Sequence, residues 1–306
     1  MFIIPANSAA AASGPTQLGI FAFGANDTTF FNLSNLVNSS GVVSADVTGV
    51  GTARSQLSAA GYGGDKGIFR GGYNGSGQLG LSNLVSNQGV VASDVAKVGG
   101  NRVNAAAASY GTGLAIFAFG DSSGNVNDKN LVNSSGVVAS DSSGAGSARS
   151  GLAACGYGFD KAIFAFGKTN TEVSMSNLVT NEGVIGNDVT GVGTARRLLQ
   201  GASYAGGDKG IIYSGWTGSA EVSTSNLVSN EGVVASDVSG VGAGGKGGAG
   251  CSYGGDKALF SYGSAPGDAI TNSRRLVSNE GVISSDASGA GTLRYYLAAC
   301  GYSQSA

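Results

Sequence analysis

The chain has 306 residues and a net charge of −2, and only 12% of its residues are charged. Because no excess of Lys and Arg is available to neutralise phosphates, we expect neither nucleic acid nor an anionic membrane as a partner. No apolar run approaches the roughly 20 residues that span a bilayer, so no membrane insertion is expected. The absence of histidine removes the commonest general base and metal ligand, and we expect no catalysis, no cofactor and no metal.

Residues 1–17 precede the first recognisable element. Their start, residues 2–5, is apolar and is followed by an Ala- and Ser-rich stretch without the positive charges of a secretory signal. We expect an N-terminal arm that docks on a neighbouring copy and so supports a homo-oligomer. A frayed end is the alternative.

From residue 18 onward, six copies of one pattern follow each other. A Leu-Val pair recurs at spacings of 48, 47, 47, 49 and 49 residues, beginning at Leu36, Leu84, Leu131, Leu178, Leu227 and Leu276. Each pair precedes a Gly-Val-Val or Gly-Val-Ile segment and then an aspartate. A tyrosine recurs at the same period, at Tyr62, Tyr110, Tyr157, Tyr204, Tyr253 and Tyr302. A period of 20 to 50 residues is typical of solenoids and propellers.

Each copy predicts four short antiparallel strands. In the second copy these are residues 54–62, residues 67–71, a strand around Asn83 and a strand that starts at Val90, with Gly-rich hairpin turns between the first two and the last two. Four strands in about 48 residues is the size of a propeller blade. We therefore predict an all-β fold in which residues 18–306 form a six-bladed β-propeller; a β-solenoid is the alternative.

The two ends of the chain are complementary fragments of one copy. Residues 19–24 match a second strand without a first, and residues 294–302 match a first strand with nothing after it. We predict that the C-terminal strand pairs with the N-terminal strands and closes the ring. Closure would remove the open edge that a solenoid leaves for aggregation.

An aspartate and an arginine recur eight residues apart in five of the copies. The pairs are Asp46/Arg54, Asp94/Arg102, Asp141/Arg149, Asp188/Arg196 and Asp286/Arg294, while Asp237 is followed by Gly245 and Lys246 where arginine is expected. We interpret the aspartate as a cap of the link between blades, with arginine bound to it or to backbone carbonyls. A ring of cation-binding carboxylates is the alternative.

Three cysteines occupy one small-residue position of the repeat. Cys155, Cys251 and Cys300 each lie two residues before the repeated tyrosine, where the other copies have Ala60, Ala108 and Ala202. Equivalent positions on different blades are too far apart for a disulfide, so we predict three free, buried thiols.

The loop between the second and third strands differs in every copy, whereas the other three connections keep their sequence from copy to copy. The varied loop carries the residues that we predict to bind a ligand: Phe30, Phe31, Tyr73, Asn74, Trp216, Glu221 and Asp268. In an antiparallel blade, this loop and the link between blades share one face. Exposed aromatic residues beside polar ones are typical of sugar or protein recognition; neutral drift of a tolerant surface is the alternative.

Two resemblances bear on function. Over roughly residues 18–302 the strand order resembles the kelch repeat, although its paired glycines and fourth-strand Trp are absent. Residues 151–167 (GLAACGYGFDKAIFAFG) and 226–237 (NLVSNEGVVASD) more specifically resemble Gly-rich repeats in structural proteins of tailed bacteriophages.

The phage resemblance implies a non-catalytic virion protein, made in the host cytoplasm and associated with the tail or its fibres. Its partners would be other virion proteins or a host-surface glycan or protein. A free, lectin-like carbohydrate-binding propeller is the alternative.

Overall fold

The computed structural model describes residues 17–304. This part of the chain is all-β, with no α-helix and one 3-10 turn at Ala205–Gly207, and none of its helical turns is long and apolar enough to cross a membrane. The strands, in chain order, are β1 (Leu18–Ala22), β2 (Ser34–Val37), β3 (Ser58–Tyr62), β4 (Lys66–Arg70), β5 (Ser82–Val85), β6 (Ala106–Tyr110), β7 (Leu114–Ala118), β8 (Asp128–Val132), β9 (Ser142–Ser143), β10 (Ala153–Tyr157), β11 (Lys161–Ala165), β12 (Ser176–Val179), β13 (Gln200–Tyr204), β14 (Lys209–Trp216), β15 (Glu221–Val228), β16 (Ala249–Tyr253), β17 (Lys257–Ser261), β18 (Ser264–Ala265), β19 (Ala269–Ile270), β20 (Arg274–Val277) and β21 (Ala298–Tyr302).

The strands form six small antiparallel sheets and one two-stranded ribbon. We number the sheets from the N-terminus: sheet 1 is β2-β1-β21, sheet 2 is β3-β4-β5, sheet 3 is β6-β7-β8-β9, sheet 4 is β10-β11-β12, sheet 5 is β13-β14-β15, sheet 6 is β16-β17-β20, and the ribbon is β18-β19. In sheet 1 the two chain ends pair, with Ile20 opposite Cys300. The predicted pairing of the C-terminal strand with the N-terminal strands is therefore confirmed.

The prediction of four full strands per copy is wrong for five of the six sheets. In sheet 2 the fourth segment pairs with the third through two isolated bridges, Val85 to Val91 and Ser82 to Val95, and not through a continuous ladder. The two bridges leave one extra residue on the outer segment, and the side-chain amide of Asn83 binds the carbonyl of Ala92 at 3.0 Å inside this bulge. The side chain thus replaces the ladder hydrogen bonds that a regular strand would make.

The first strand of each copy is also shorter than predicted. In sheet 2 it begins at Ser58 rather than at residue 54, because Gln56 has a left-handed backbone with φ of 58°. The equivalent residues of the other sheets share this conformation, with φ between 51° and 66°. They are Asn104, Gly151, Leu198, Gly247 and Tyr296.

These six left-handed residues are joined by a circuit of backbone hydrogen bonds. Each N–H donates to the equivalent carbonyl of the preceding sheet at 2.6–3.0 Å, and Gln56 donates to Tyr296, which returns the circuit to its start. The first strands contact each other in the same order, β21, β3, β6, β10, β13, β16 and back to β21. These six strands therefore surround a common axis.

A second circuit lies at the other end of the first strands. The residue after each repeated tyrosine donates its N–H to the residue before the second strand of the next sheet, at 2.7–3.0 Å. The donor and acceptor pairs are Gly63 to Gly113, Gly111 to Asp160, Gly158 to Asp208, Ala205 to Asp256, Gly254 to Gln17 and Ser303 to Asp65. Gln17, which the sequence placed in the arm, thus already takes a position in the repeat. The predicted docking of the arm falls on residues 1–16, outside the described residues.

The core lies between neighbouring sheets. One cluster joins Ala60 and Ile68 of sheet 2 to Ala115 and Phe117 of sheet 3. Each repeated tyrosine is buried against the glycine that follows the Leu-Val pair of the next sheet; a Cβ on Gly136 would lie 2.9 Å from the Tyr62 ring. Full burial of a large apolar side chain contributes about 1.5–3 kcal/mol, so the sheet-to-sheet interfaces supply much of the stability.

The three cysteines are free and buried, as predicted. Each faces a glycine of the next sheet, where a Cβ would overlap the sulfur: Cys251 faces Gly19, Cys300 faces Gly67 and Cys155 faces Gly210. Where alanine replaces the cysteine, alanine also stands opposite, as in Ala60 and Ala115. Burial raises the pKa of Cys155 and Cys300 to about 12, which keeps these thiols protonated.

The pairing of each arginine with the aspartate eight residues before it is wrong. Each arginine lies instead beside the aspartate of its own sheet, as for Arg196 and Asp237, where the Arg196 Nη1 is 3.8 Å from the Asp237 Oδ1. The Arg196 Nε donates to the Ser214 carbonyl at 2.9 Å. The first and fourth segments of one sheet meet here, which sequence proximity does not reveal. The five observed pairs are Arg54/Asp94, Arg102/Asp141, Arg149/Asp188, Arg196/Asp237 and Arg294/Asp46, the last of which joins the two ends of the chain.

Arg102 of sheet 3 gives the clearest correction, because its ion pair is the shortest of the five. It was predicted to bind Asp94, but its Nη2 lies 3.1 Å from the Asp141 Oδ1 and also donates to the Asn130 side chain. Its Nη1 donates to the Asp128 carbonyl at 2.7 Å, so the expected contact with backbone carbonyls is present. Asp94 belongs to sheet 2, where its Oδ1 accepts the Asn83 amide at 2.8 Å. The arginine thus pairs with the aspartate of its own sheet and not with the aspartate that is nearest in sequence.

Sheet 6 also pairs its aspartate with an arginine, but this arginine comes from the third strand. Gly245 replaces the arginine, and Arg275 replaces the asparagine that the other sheets carry on the third strand. The Arg275 Nε lies 2.5 Å from the Asp286 Oδ1, and its guanidinium lies over the ring of Tyr213 in sheet 5. In sheet 5, the Arg196 guanidinium lies over Phe166 of sheet 4 in the same way.

Candidate binding face

The varied loops and the links between sheets lie on one face, as expected. Isolated bridges join the first residue of each loop to the residue after the repeated arginine, as in Tyr73 to Ser55 and Trp216 to Arg197. The same holds for Ala25 to Tyr295 and Lys246 to Ser264. We call this surface the varied face; it consists of the six loops between second and third strands and the two link residues that follow each repeated arginine position.

A depression of about 210 Å³ occupies the axis of the varied face. Its lining combines two side-chain amides, a hydroxyl, a guanidinium and a phenol, from Gln56, Asn104, Ser150, Arg197 and Tyr296, with Gly151 and Leu198. The left-handed circuit positions several of these side chains around the axis, since four of its six members carry a side chain beyond hydrogen. Both donors and acceptors therefore point to one small space.

One side of the depression carries two aromatic rings in contact with each other. Tyr295 and Tyr296 pack edge to face with centroids 4.8 Å apart. The Tyr295 hydroxyl lies 3.3 Å from the Asp27 Oδ1. Burial is the main cause that raises the pKa of Tyr296, so its hydroxyl stays a hydrogen-bond donor at neutral pH.

Lys246 contacts three of the predicted site residues. Its Nζ lies 2.8 Å from the Glu221 Oε1, 2.8 Å from the Asp268 Oδ1 and 4.5 Å from the ring centre of Trp216. Burial acts to lower the pKa of Lys246, but the two carboxylates outweigh it and raise the pKa overall. The lysine therefore stays charged and orders the indole and both carboxylates at the edge of the face.

Arg197 lies between this cluster and the axis. Its Nε is 3.5 Å from the Glu172 Oε1, and its backbone pairs with Trp216. Arg197 is half-buried and lines the central depression, and Glu172 is the one carboxylate of the described residues that lies within 4 Å of its guanidinium. Arg197 can thus offer charge-assisted hydrogen bonds to a ligand in the depression.

The remaining predicted site residues form a second group. Phe30 and Tyr73 meet edge to face with ring centroids 5.8 Å apart. Asn74 stabilises the turn of its own loop, since its Oδ1 accepts the N–H of Ser76 at 3.0 Å. Phe31 accepts the Arg54 N–H through its carbonyl, so its backbone has a structural role at the link. The structure therefore divides the seven predicted residues into two clusters in different sheets.

Sequence reasoning missed Arg197, Lys246 and Tyr296. It treated the link between copies as uniform, but the two positions after the repeated arginine vary as much as the loops do. They read Ser-Gln, Val-Asn, Ser-Gly, Arg-Leu, Lys-Gly and Tyr-Tyr in the six copies. A position-by-position alignment of the copies contains this signal.

The repeated aspartates do not converge on one site. In five sheets the carboxylate accepts hydrogen bonds within its own sheet and the preceding link, as Asp237 does from Thr194 and Asn226. Within residues 17–304, no three His, Cys, Asp or Glu side chains come together as a metal site would require.

Comparison with known proteins adds no assignment. The chain matches no protein-family model and no curated protein.

Proposed function

We propose that the chain is a non-catalytic, six-bladed β-propeller of a bacteriophage virion, associated with the tail or its fibres, that binds a host-surface molecule or another virion protein through the varied face. The propeller is supported by the paired chain ends and by the two hydrogen-bond circuits that return to their start. The virion assignment depends on the resemblance of residues 151–167 and 226–237 to phage repeats.

One observation carries the binding role. The six loops between second and third strands and the link pairs, which differ in every copy, lie on one face, around a polar depression and beside an indole that contacts Lys246. At several buried positions away from this face, by contrast, a change is matched by a change at the contact, as for the cysteine and glycine pairs. Arginine, tryptophan and tyrosine are the residues that most often dominate binding energy at protein interfaces.

Gold-labelled antibodies against the purified protein, imaged on phage particles by electron microscopy, test the virion assignment. We expect label on the tail. Label on no particle would reject this part of the proposal without affecting the binding face.

Binding of the fluorescent protein to host cells tests the face itself. We expect the double variant Trp216→Ala/Arg197→Ala to bind at least about tenfold more weakly, a loss of about 1.4 kcal/mol. Val282→Ser is the matched control, because Val282 is 64% exposed on a turn beside Gly281, which packs on Tyr204 at the opposite end. Equal binding by the double variant and the control would reject the varied face as the binding surface.

A free lectin-like propeller is the second candidate. The amides, hydroxyl and phenol around the depression favour it, because they match the donors and acceptors of a sugar. Binding on a glycan array together with unlabelled particles would favour this candidate over the first.

A further inference from the structure

The opposite end of the axis holds a second cavity, of about 160 Å³. It is lined by hairpin glycines, by Ser109, Ser203 and Ser252, and by three lysines. This cavity lies at the hairpins between first and second strands and shares no lining residue with the depression of the varied face. It belongs to the part of the molecule that the sequence indicated to be uniform.

Phe159 breaks the uniformity at the rim of this cavity. It is 72% exposed, and its backbone is left-handed with φ of 66°. The equivalent residues Gly64 and Gly255 have φ of 82° and 84°, which glycine adopts without strain. An exposed phenylalanine in a strained conformation gains nothing from core packing, and such strain is concentrated at functional sites.

The hairpin beside Phe159 also departs from the repeat. Residues 205–209 contain one more residue than residues 158–161 and form the 3-10 turn. The Phe159 N–H donates to the Gly207 carbonyl at 3.1 Å, and a Cβ on Gly207 would meet nothing within 4 Å. Open space therefore lies beside Gly207, to which the Phe159 backbone is bound, and both residues line the cavity.

The polar groups of the cavity are electrically balanced. The ammonium groups of Lys66, Lys161 and Lys257 lie 2.6 Å, 2.8 Å and 2.7 Å from the carboxylates of Asp65, Asp160 and Asp256. The Ser109 and Ser252 hydroxyls donate to backbone carbonyls, both at 2.8 Å, which leaves their oxygens as acceptors. A neutral ligand with several hydroxyl groups fits this set better than an anion or a cation.

We propose that this axial cavity binds one neutral sugar ring, with Phe159 as the stacking platform and the serines and ion-paired lysines as hydrogen-bond partners. The cavity is smaller than the roughly 300–1,000 Å³ of a drug-sized pocket, so it holds a single ring and any further residues of a glycan extend into solvent. The site is separate from the varied face and does not depend on the proposed virion function.

Saturation-transfer NMR with D-glucose, D-galactose, D-mannose and N-acetyl-D-glucosamine tests the proposal, with affinity measured by calorimetry. We expect at least one of these sugars to bind and Phe159→Gly to weaken it at least tenfold without lowering the melting temperature, since glycine accepts the left-handed backbone. Phe159→Leu keeps the strain and removes only the aromatic face, and it should also weaken binding. Thr112→Gly, at the matching hairpin of sheet 3, is the control and should bind as the unaltered protein does.

Three results would overturn the proposal. They are no binding by any of the four sugars, binding that Phe159→Gly leaves unchanged, and stronger binding of glucuronate or inorganic phosphate than of the neutral sugars. Trp216→Ala separates the two faces: loss of sugar binding in that variant alone would move the sugar site to the varied face.

Discussion

Substitutions among the six copies follow different rules at the buried interfaces and on the varied face. At several buried positions, a change at one residue is matched by a second change: cysteine faces glycine of the next sheet where alanine faces alanine, and within sheet 6 Arg275 appears where Gly245 removes an arginine. On the varied face, Tyr295, Arg197 and Lys246 occupy equivalent, partly exposed positions and have unrelated surroundings. Close packing demands compensation, whereas a solvent-facing surface is free to diverge towards a ligand.

Breaking the arginine arrangement should have the largest effect. Arg196→Gly removes a fully buried guanidinium and leaves Asp237 and the Ser214 carbonyl without it. We expect a loss of about 3–5 kcal/mol in the free energy of unfolding, measured by urea denaturation with Trp216 fluorescence.

The double variant Arg196→Gly/Asn226→Arg sharpens this test, because it copies the arrangement of sheet 6 into sheet 5. We expect it to recover about half of the loss. Recovery should be incomplete, since sheet 6 faces Tyr213 and sheet 5 faces Phe166. A double variant no more stable than Arg196→Gly would show that the two arrangements are not equivalent.

The cysteine and glycine pairs predict a smaller effect. Gly210→Ala places a Cβ inside the contact distance of the Cys155 Sγ and should cost about 1–3 kcal/mol. Gly210→Ala/Cys155→Ala restores the alanine pair of the other sheets, so we expect most of this loss to be recovered in thermal and urea unfolding. Cys300 and Gly67 offer the same cycle at another interface. Additive losses in both cycles would contradict direct compensation.

The aspartates predict the smallest effect, a dependence of stability on acid. Burial acts to raise the pKa of Asp237, but hydrogen bonds from Thr194 and Asn226 and the charge of Arg196 lower it overall. A carboxyl with a lowered pKa in the folded state stabilises fully above its unfolded pKa of about 3.9, and this contribution is lost as the pH falls through the folded value.

Urea unfolding between pH 6 and pH 3 measures this dependence in about half-unit steps. We expect Asp237→Asn to be less stable than the unaltered chain at pH 6 and to lose less stability towards pH 3. Asp27→Asn, an exposed change on the varied face, is the control and should keep the slope of the unaltered chain. Equal slopes for all three proteins would show that Asp237 does not contribute to the acid sensitivity.

Much of the architecture followed from the sequence, because the repeat is long and its landmarks mark the strand ends. The period, the hairpin turns and the split copy predicted short antiparallel strands and the pairing of β21 with β1. The buried, free cysteines followed from the alanines that replace them. The prediction of a full fourth strand failed because the Asn83 side-chain amide donates to the Ala92 carbonyl in place of a backbone N–H. Strand propensity does not describe this competition.

The sequence by itself determined the repeat, the strand order and which loop varies. These features depend on local turns and on a pattern that occurs in six copies along the chain. Only the tertiary structure decided the partners: Arg102 beside Asp141 rather than Asp94, Lys246 against Trp216, and Phe159 at the mouth of the axial cavity. The ion pairs of the repeated arginines with their aspartates and the core contacts between neighbouring sheets join residues about 40 or more positions apart. Their choice depends on how the six sheets are oriented around their common axis, which no local pattern encodes.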